Sequence, residues 1–366
     1  MLPQGLGPLA MLCDGLHTLP EIETKLARQY GLNLSQSEIE DLLEQFDQAL
    51  ILEGDRLKQA IQAAVEDYRA APFRKPALAG TSYPAKADDL RRLLQTYLKQ
   101  TNGIQPSAAN WRGIISPHID FERGGHVYAQ VWASAAEAIR QAELIIVFGT
   151  DHNGSEGTLT LTRQNYASPL GHMPTENAVV DRLVEVLGEE AAFAEELHHR
   201  DEWSIELDLV WIQHMRDTKP CPMVPILCGS FSHFMTGESN IESDTRFRDV
   251  AAVLRQEMKK RRTVIVASGD LAHLGPAFDG DPLDAEAKAQ MKVEDQALMD
   301  TLCRGDAGLF LEFMKGQYDR NVCGLSPFYF TLDVLEETTG RTIAYDRCPA
   351  DYSDTSFVSI CGTVLA

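Results

Sequence analysis

Histidines follow three separate apolar runs of this sequence, each just after the point where the run ends. An imidazole in such a position can bind a metal ion or transfer a proton near neutral pH. Short runs rich in β-branched residues are typical of strands that are buried on both faces of a parallel sheet. Because ligands bind at the carboxyl ends of such strands, we expect the three side chains to lie close together. The runs and their histidines are 112–116 with His118, 144–148 with His152, and 263–267 with His273.

Asp270 and Cys323 add further reactive groups to this pattern. Asp270 stands three residues before His273, and Cys323 precedes a helix that is predicted to start near Leu325. A thiol close to a helix N-terminus is favoured as the thiolate. Two imidazoles and a thiolate from separate loops would bind iron, copper or zinc and leave an open coordination position. A further histidine with a carboxylate nearby could act as a general acid or base.

Each of these residues also has a purely structural interpretation. A single histidine at a strand end is commonly a hydrogen-bonded structural residue, and a lone cysteine is commonly a small buried hydrophobe. The repetition of the strand-then-histidine pattern nevertheless favours a functional site. The segment from His198 to Glu202 remains open, because it could cap the helix that follows or form one wall of a cleft.

The charge balance excludes some classes of partner. The 366 residues include 54 Asp and Glu against 33 Lys and Arg, a formal net charge of −21. We therefore expect neither nucleic acid nor an anionic membrane surface as a partner. No apolar run reaches the roughly 18–20 residues that span a bilayer, and the N-terminus does not resemble a signal peptide. The seven scattered cysteines contain no CxxC pair, so we expect a reducing, cytoplasmic location.

The first part of the chain, residues 1–58, is predicted to be a small separate module. Two amphipathic helices, capped by Thr18 and by Ser35 or Ser37, precede an apolar stretch with a Gly-Asp turn over 49–57. Helices followed by a hairpin indicate a winged-helix-like module. Up to residue 70 this segment has five Lys and Arg against twelve Asp and Glu. We therefore expect it to contact protein or peptide rather than DNA.

The rest of the chain alternates between strand and helix patterns. Residues 59–76 are predicted to be a helical linker that ends in a Pro-containing break, and residues 77–366 a large α/β domain. The alternation predicts a mostly parallel central sheet flanked by helices. The predicted strands are 112–116, 144–148, 157–162, 222–227, 263–267 and 356–364, and the predicted helices include 126–140, 176–187, 203–215, 245–260, 284–303 and 325–338.

Six short motifs of the large domain occur in an order that resembles the Memo family. That family includes the bacterial AmmeMemoRadiSam system protein B and is similar in fold to class III extradiol dioxygenases, the LigB-like group. The resemblance covers about residues 77–366. The motifs are Gly80-Thr81-Ser82-Tyr83-Pro84-Ala85, Ser116-Pro117-His118, Gly149-Thr150-Asp151-His152, His199 to Glu206, Ser268-Gly269-Asp270-Leu271-Ala272-His273 and Cys323-Gly324.

The resemblance implies a non-haem metal site with His118, His152 and Cys323 as ligands. It further implies that His273 is the acid–base histidine and that Asp270 orients its loop. Iron(II) is the first expected metal and copper the second, and zinc also remains open. AMMECR-like and radical SAM proteins are the implied protein partners.

Several positions differ from the family pattern and concern the substrate. The related dioxygenases use two histidines and a glutamate, so Cys323 separates this chain from their ring-cleaving reaction. Asp120 adds a carboxylate beside the first ligand, and Trp203 stands where a cleft histidine is usual. Together with His199, these two residues are our candidates for substrate binding.

Two functions from different classes are consistent with these features. The first is a redox enzyme, similar to a dioxygenase, that acts on a small molecule or a modified peptide. The second is a non-catalytic adaptor whose cleft binds a peptide or protein. A metal-dependent hydrolase is a weaker third interpretation, because bridging carboxylates are scarce among the candidate ligands.

Overall fold

The structure, a computed structural model, describes residues 4–101 and 110–366. The chain divides into two compact units, one that ends at Ala70 and one from Ala71 to Ala366. The division falls inside the linker that was predicted over 59–76. In the described ranges, no helix is both long and apolar enough to cross a bilayer.

The N-terminal unit is built from helices around a small apolar core. Glu21 and Glu38 each accept a hydrogen bond, both 2.8 Å, from the backbone N–H of the capping residues Thr18 and Ser35, which is the capping-box arrangement. Gly31 ends the second helix at φ 68°. The core contains Leu9, Leu12, Ile22, Leu26, Ile39 and Phe46. The helices are α1 Gly7–Leu12, α2 Leu19–Tyr30, α3 Gln36–Gln48 and α4 Asp55–Ala70.

The hairpin predicted over 49–57 is wrong. These residues form a turn after α3 and then the first residues of α4, and residues 4–70 contain no strand. Gly54 does not turn a hairpin; its carbonyl accepts from the Lys58 N–H at 3.1 Å and so begins a helix. A 16-residue helix outcompetes two short strands because an isolated two-stranded hairpin is marginal in water. The helical part of the predicted module is present and its wing is not.

The C-terminal unit contains strands that alternate with helices, as predicted. Its strands are β1 Gly113–Ser116, β2 Leu144–Thr150, β3 Leu159–Leu161, β4 Tyr166–Ser168, β5 Gly171–Met173, β6 Met223–Cys228, β7 Thr263–Ser268, β8 His273–Leu274, β9 Gly340–Pro349 and β10 Phe357–Leu365. Its helices are α5 Ala87–Lys99, α6 Phe121–Gln141, α7 Asn177–Leu187, α8 Glu189–Phe193, α9 His198–Asp201, α10 Ser204–Met215, α11 Ser232–Met235, α12 Thr245–Lys260, α13 Ala285–Arg304, α14 Ala307–Lys315 and α15 Leu325–Leu335.

The central sheet has the strand order β3-β6-β2-β7-β1-β10-β8, with β9 paired to β10. The middle strands β6, β2, β7 and β1 are parallel, and the strands added at either side are antiparallel. This confirms the predicted mostly parallel sheet. Since β7 lies between β1 and β2, the loops that leave these three strands are neighbours at one edge.

Helices cover both faces of the sheet, and the residues of β2 alternate between the two sides. Ile146 and Phe148 belong to the core on one face, where α7, α12 and α15 pack. Ile145 and Val147 belong to the core on the other face, which α6 and α10 cover. Every residue of β2 is buried, as expected for a strand enclosed by two helical layers.

Some elements were not predicted or were predicted with other limits. Helix α6 begins at Phe121 rather than near 126, because the Asp120 side chain caps it by accepting from the Arg123 N–H at 3.0 Å. Strand β9 was missed, although it pairs with β10 along its length. Its residues are mostly only half-buried and largely polar, so they lack the apolar signature of an interior strand.

A buried carboxylate, Glu206 on α10, fixes the segment that leads into the large unit. It pairs with the Arg74 guanidinium and accepts from the Tyr83 hydroxyl; Arg74 and Glu206 have fully buried side chains. It also accepts from the backbone N–H groups of Ala77 at 2.7 Å and Leu78 at 2.9 Å. The segment 74–83 is therefore held against α10 by one side chain.

We expect Glu206→Gln to destabilise the protein strongly. Removing the charge leaves the buried guanidinium of Arg74 without its carboxylate, and breaking a buried ion pair from one side costs about 3–5 kcal/mol. The free energy of unfolding from chemical denaturation measures the effect. Glu137→Gln is the matched control, because the Glu137–Arg140 pair is about half exposed and should change stability by about 1 kcal/mol or less. Equal effects of the two substitutions would contradict this role of Glu206.

Candidate metal centre

His118, His152 and Cys323 meet at the carboxyl-end edge of the sheet. His118 follows β1, His152 follows β2, and Cys323 lies just before α15. The Cys323 Sγ is 3.2 Å from the His118 Nε2, and the two imidazole centroids are 4.9 Å apart. One ligand atom from each residue lies within 4.8 Å of the others. A metal ion binds nitrogen at about 2.1 Å and sulfur at about 2.3 Å, so the ligand atoms around it lie within such a distance of one another. The donor set therefore fits a metal ion.

The environment of His118 keeps its imidazole neutral. Burial, together with the neighbouring His152, lowers the pKa of His118 to about 3. A neutral imidazole retains the lone pair that a metal ion requires. Its Nδ1 is buried and has no hydrogen-bond partner among the described residues. The ring is therefore ready for ligation through the Nε2 that faces Cys323.

Cys323 is not favoured as the thiolate, contrary to the expectation from its position near a helix N-terminus. Burial, reinforced by the charge of Asp270, raises the pKa of Cys323 well above its ordinary value. Desolvation thus outweighs the helix terminus in the metal-free protein. The Sγ accepts the Asp270 backbone N–H at 3.3 Å, and the Thr150 hydroxyl donates to the Cys323 carbonyl at 3.0 Å. Metal binding at this thiol would release a proton, since thiolate is the ligating form.

Glu202 orients His152, a role that the sequence did not reveal. Its carboxylate accepts from the His152 Nδ1 at 3.0 Å and from the His152 backbone N–H at 3.1 Å. The backbone N–H groups of Trp203 and Ser204 donate to its other oxygen. Burial alone would raise the pKa of Glu202, but its interactions with His152 and the backbone N–H groups lower it to about 2. A permanently charged carboxylate on Nδ1 leaves Nε2 of His152 available to a metal ion.

Asp270 and His273 lie beside the three candidate ligands. Asp270 accepts the His118 backbone N–H at 2.8 Å, and one of its oxygens is 3.9 Å from the His118 Nε2. His273 Nδ1 is 3.0 Å from the Asn321 carbonyl and 3.1 Å from the Leu271 carbonyl. Because carbonyls only accept, Nδ1 carries the proton. These carbonyls therefore fix the His273 tautomer, and Asp270 instead holds the loop of His118.

A cavity of about 510 Å³ opens over this group. His118, His152, Asp270 and His273 contribute to its lining together with apolar side chains such as Leu207 and Phe278. Trp203 also lines it and stacks on His152, with ring centroids 4.4 Å apart. Asp120 lies at the cavity as well, paired with Arg123 at 2.6 Å. A second cavity of about 270 Å³ reaches Cys323 and His152 from the other side.

His199 does not take part in this cavity, contrary to its selection as a substrate-binding residue. The side chain is fully buried. Its ring nitrogens face the Tyr166 hydroxyl at 2.5 Å and the Thr160 carbonyl at 3.0 Å, and its own carbonyl accepts from Arg74 at 2.8 Å. Burial lowers the pKa of His199 to about 3. The residue thus packs as a neutral, buried structural histidine, an outcome that neither interpretation of its segment included.

Comparison with known proteins shows the family of this chain. The sequence model of the Memo-like protein family matches residues 74–364. The chain belongs to the Memo family. The match includes every residue of the candidate metal centre, and it confirms the family that the six motifs indicated.

Individual Memo family relatives show how far the similarity extends. A MEMO1 family protein of Methanosarcina mazei is 26% identical over 274 residues, which cover 73% of this chain and 88% of the relative. A MEMO1 family protein of Thermus thermophilus is 23% identical over 329 residues, which cover 90% of this chain and 93% of the relative. The second alignment is longer than the C-terminal unit, so it includes part of the N-terminal unit.

We expect Glu202→Gln to weaken metal binding by about 10–100-fold, the usual effect of losing the carboxylate that orients a ligating histidine. A glutamine has one accepting oxygen, so it can accept either the two His152 bonds, which Oε2 of Glu202 accepts, or those of Trp203 and Ser204, which Oε1 accepts. It also lacks the negative charge. Competition with a chromophoric chelator measures the affinity. Glu185→Gln, which removes an exposed carboxylate on α7, should leave it unchanged. An affinity for Glu202→Gln equal to that of the control would show that Glu202 does not orient His152.

Proposed function

We propose that this Memo family protein binds one metal ion through His118, His152 and Cys323 and acts as a metal-dependent redox enzyme. The observation that carries the proposal is the convergence of these three side chains, from three separate loops, within 4.8 Å of one another. His118 and His152 line a cavity of about 510 Å³, and Cys323 lines a second cavity of about 270 Å³ together with His152. Ligand sites of enzymes commonly have this size and position.

Iron(II) is our first candidate for the metal, copper the second, and zinc the third. Two imidazoles and a thiolate are suitable ligands for all three ions. The three protein ligands leave at least one coordination position open. When bound, iron or copper would supply one-electron redox chemistry beside the cavity.

His273 is the residue that we assign to proton transfer. Its Nδ1 proton is held by the carbonyls of Asn321 and Leu271, so its Nε2 has a free lone pair. Burial lowers the pKa of His273, and the charge of Asp270 only partly offsets this effect. A neutral imidazole at the cavity surface can accept a proton from a bound molecule and later return it.

The cavity walls favour a ligand with an apolar body. Leu78, Ile119, Leu207 and Val358 contribute to them, and the Trp203 ring offers a flat surface beside His152. The Asp120–Arg123 pair adds polar groups for the orientation of a ligand. A small molecule or a modified peptide side chain with an apolar or aromatic part fits this lining. AMMECR-like and radical SAM proteins are the partners that we propose from the family resemblance.

A non-catalytic adaptor is the second candidate, because the same open cavity could bind a peptide. Two measurements distinguish the functions. Metal-dependent consumption of dioxygen by the protein favours the enzyme. Mass spectrometry that finds a co-purified peptide, still retained after chelation of the metal, favours the adaptor.

We expect protein purified without oxygen to contain about one metal ion per chain. His118→Ala, His152→Ala and Cys323→Ser should each lower this content, because each removes one of three ligands. Elemental analysis for iron, copper and zinc measures it. His172→Ala is the control, since His172 is exposed on β5 and lies outside the centre. Undiminished occupancy in all three variants would refute the proposed ligand set.

We expect His273→Gln to retain the metal but to lose turnover by about 10²–10⁴-fold, the usual contribution of general acid–base catalysis. If the protein only binds its ligand, affinity falls instead. Metal content, melting temperature and dioxygen consumption are measured on one preparation. His126→Gln, at an exposed histidine paired with Asp346, is the control. A lower melting temperature with intact function would make His273 structural, and loss of the metal would make it a ligand.

A further inference from the structure

A cationic cavity lies at the opposite end of the central strands from the metal centre. It has a volume of about 630 Å³ and is formed where β1, β2 and β7 begin. We call it the amino-end cavity. It is lined by Asn110, Trp111, Arg112, Gln141, Glu143, Met258, Lys259, Lys260, Arg261, Arg262 and Thr263. Strands of six or seven residues separate the two ends by about 20 Å, at about 3.3 Å per residue.

The charge of this lining opposes that of the whole chain. Five cationic residues and one acidic residue line the cavity, whereas the sequence has 33 Lys and Arg against 54 Asp and Glu. Four of the five are consecutive, from Lys259 to Arg262. A concave surface lined by one sign of charge concentrates ligands of the other sign.

Structural roles account for only part of this positive charge. Lys260 pairs with Glu257 at 2.8 Å, and Arg261 pairs with Glu176 and Glu257 at 2.8 and 3.0 Å. Lys259 makes no ion pair within residues 4–101 and 110–366, and Arg262 makes none there either, although its guanidinium contacts the Gln141 amide. Both side chains are exposed at the cavity. Two cations three residues apart thus line the cavity without an ion pair of their own, although the Glu143 carboxylate accepts the Arg262 backbone N–H at 2.9 Å.

Arg112, one of the five cations of the lining, and a further arginine, Arg341, lie beside Trp111. The Arg112 guanidinium donates to the main-chain oxygens of Glu337 and Ala366, at 2.8 and 3.1 Å. The Arg341 guanidinium lies 5.8 Å from the centroid of the Trp111 ring. Arg341 thus adds a cation next to the aromatic ring that lines the cavity.

We propose that the amino-end cavity binds a small phosphate-bearing molecule. Lys259 and Arg262 supply the charges that have no ion pair, Arg112 adds to the positive field, and Trp111 contributes an apolar ring. The concave shape and the volume suit a molecule the size of pyrophosphate or a nucleotide better than a flat protein surface. This site is separate from the metal centre, so it does not depend on the function proposed above.

The experiment compares pyrophosphate and adenosine triphosphate as probes of the full-length protein. Titration calorimetry and tryptophan fluorescence report binding, with Trp111 as the reporter at the cavity. K259Q/R262Q should weaken binding by at least about tenfold, because hydrogen bonds to charged groups are among the stronger ones. K99Q/K292Q removes two exposed lysines elsewhere, from α5 and α13, and should bind as the wild type does. Binding of both probes by the wild type assigns the phosphate group as the recognised part, and binding of the nucleotide alone assigns the base as well.

Four outcomes would overturn the proposal. The first is that neither pyrophosphate nor adenosine triphosphate binds at millimolar concentration. Another is an equal loss of affinity in the two double variants, which would reflect net charge alone. A third is a fluorescence change that persists in W111F, which would place the ligand elsewhere. The last is binding of a polyglutamate peptide without binding of phosphates, which would indicate an acidic protein partner. Unchanged metal content and melting temperature in K259Q/R262Q verify that this variant is folded.

Discussion

Backbone N–H groups in the loops at the carboxyl-end edge of the sheet need acceptors, because they lie beyond the last strand hydrogen bonds and some of them, as at His118 and Ser204, belong to buried residues. An unpaired buried N–H costs about 1–3 kcal/mol, so the loops could not remain ordered without partners. Carboxylates provide them. Glu202 accepts the N–H groups of His152, Trp203 and Ser204, and Asp270 accepts that of His118. Each of the two candidate histidine ligands thus lies in a loop that an acidic side chain fixes.

The same carboxylates set the electrostatics of the metal centre. Glu202 is tied to His152 as an anion with a pKa of about 2, whereas burial keeps His118 neutral and raises the pKa of Cys323. A bound divalent cation would offset the negative charges of Glu202 and Asp270 and would favour the thiolate of Cys323. The centre therefore combines rigid ligands with an excess of negative charge that a cation neutralises, which is a preorganised binding site.

The sequence allowed the sheet and its three histidines to be predicted, because fully buried parallel strands carry continuous apolar runs that end abruptly. Glu202 could not be found in this way. It is 50 residues from His152 in the chain, and only the packing of α10 against β2 brings them together. The hairpin after α3 failed for a local reason, since the helix-forming residues after Gly54 decide the structure of that segment. His199 was selected as a cleft residue because it begins one of the six family motifs, although its ring is buried in the core.

Opposite charges at the two ends of the same strands are a consequence of how the chain distributes its few cations. At the carboxyl ends, the buried carboxylates of Asp270 and Glu202 concentrate negative charge. At the amino ends, Lys259 and Arg262 have no ion pair among the described residues, in a chain of formal net charge −21. Screening over about 8–10 Å at physiological ionic strength keeps fields about 20 Å apart nearly independent. A phosphate-bearing molecule would therefore be selected at one end and excluded from the other, so that both sites can work in one compact unit without competing for the same ligand.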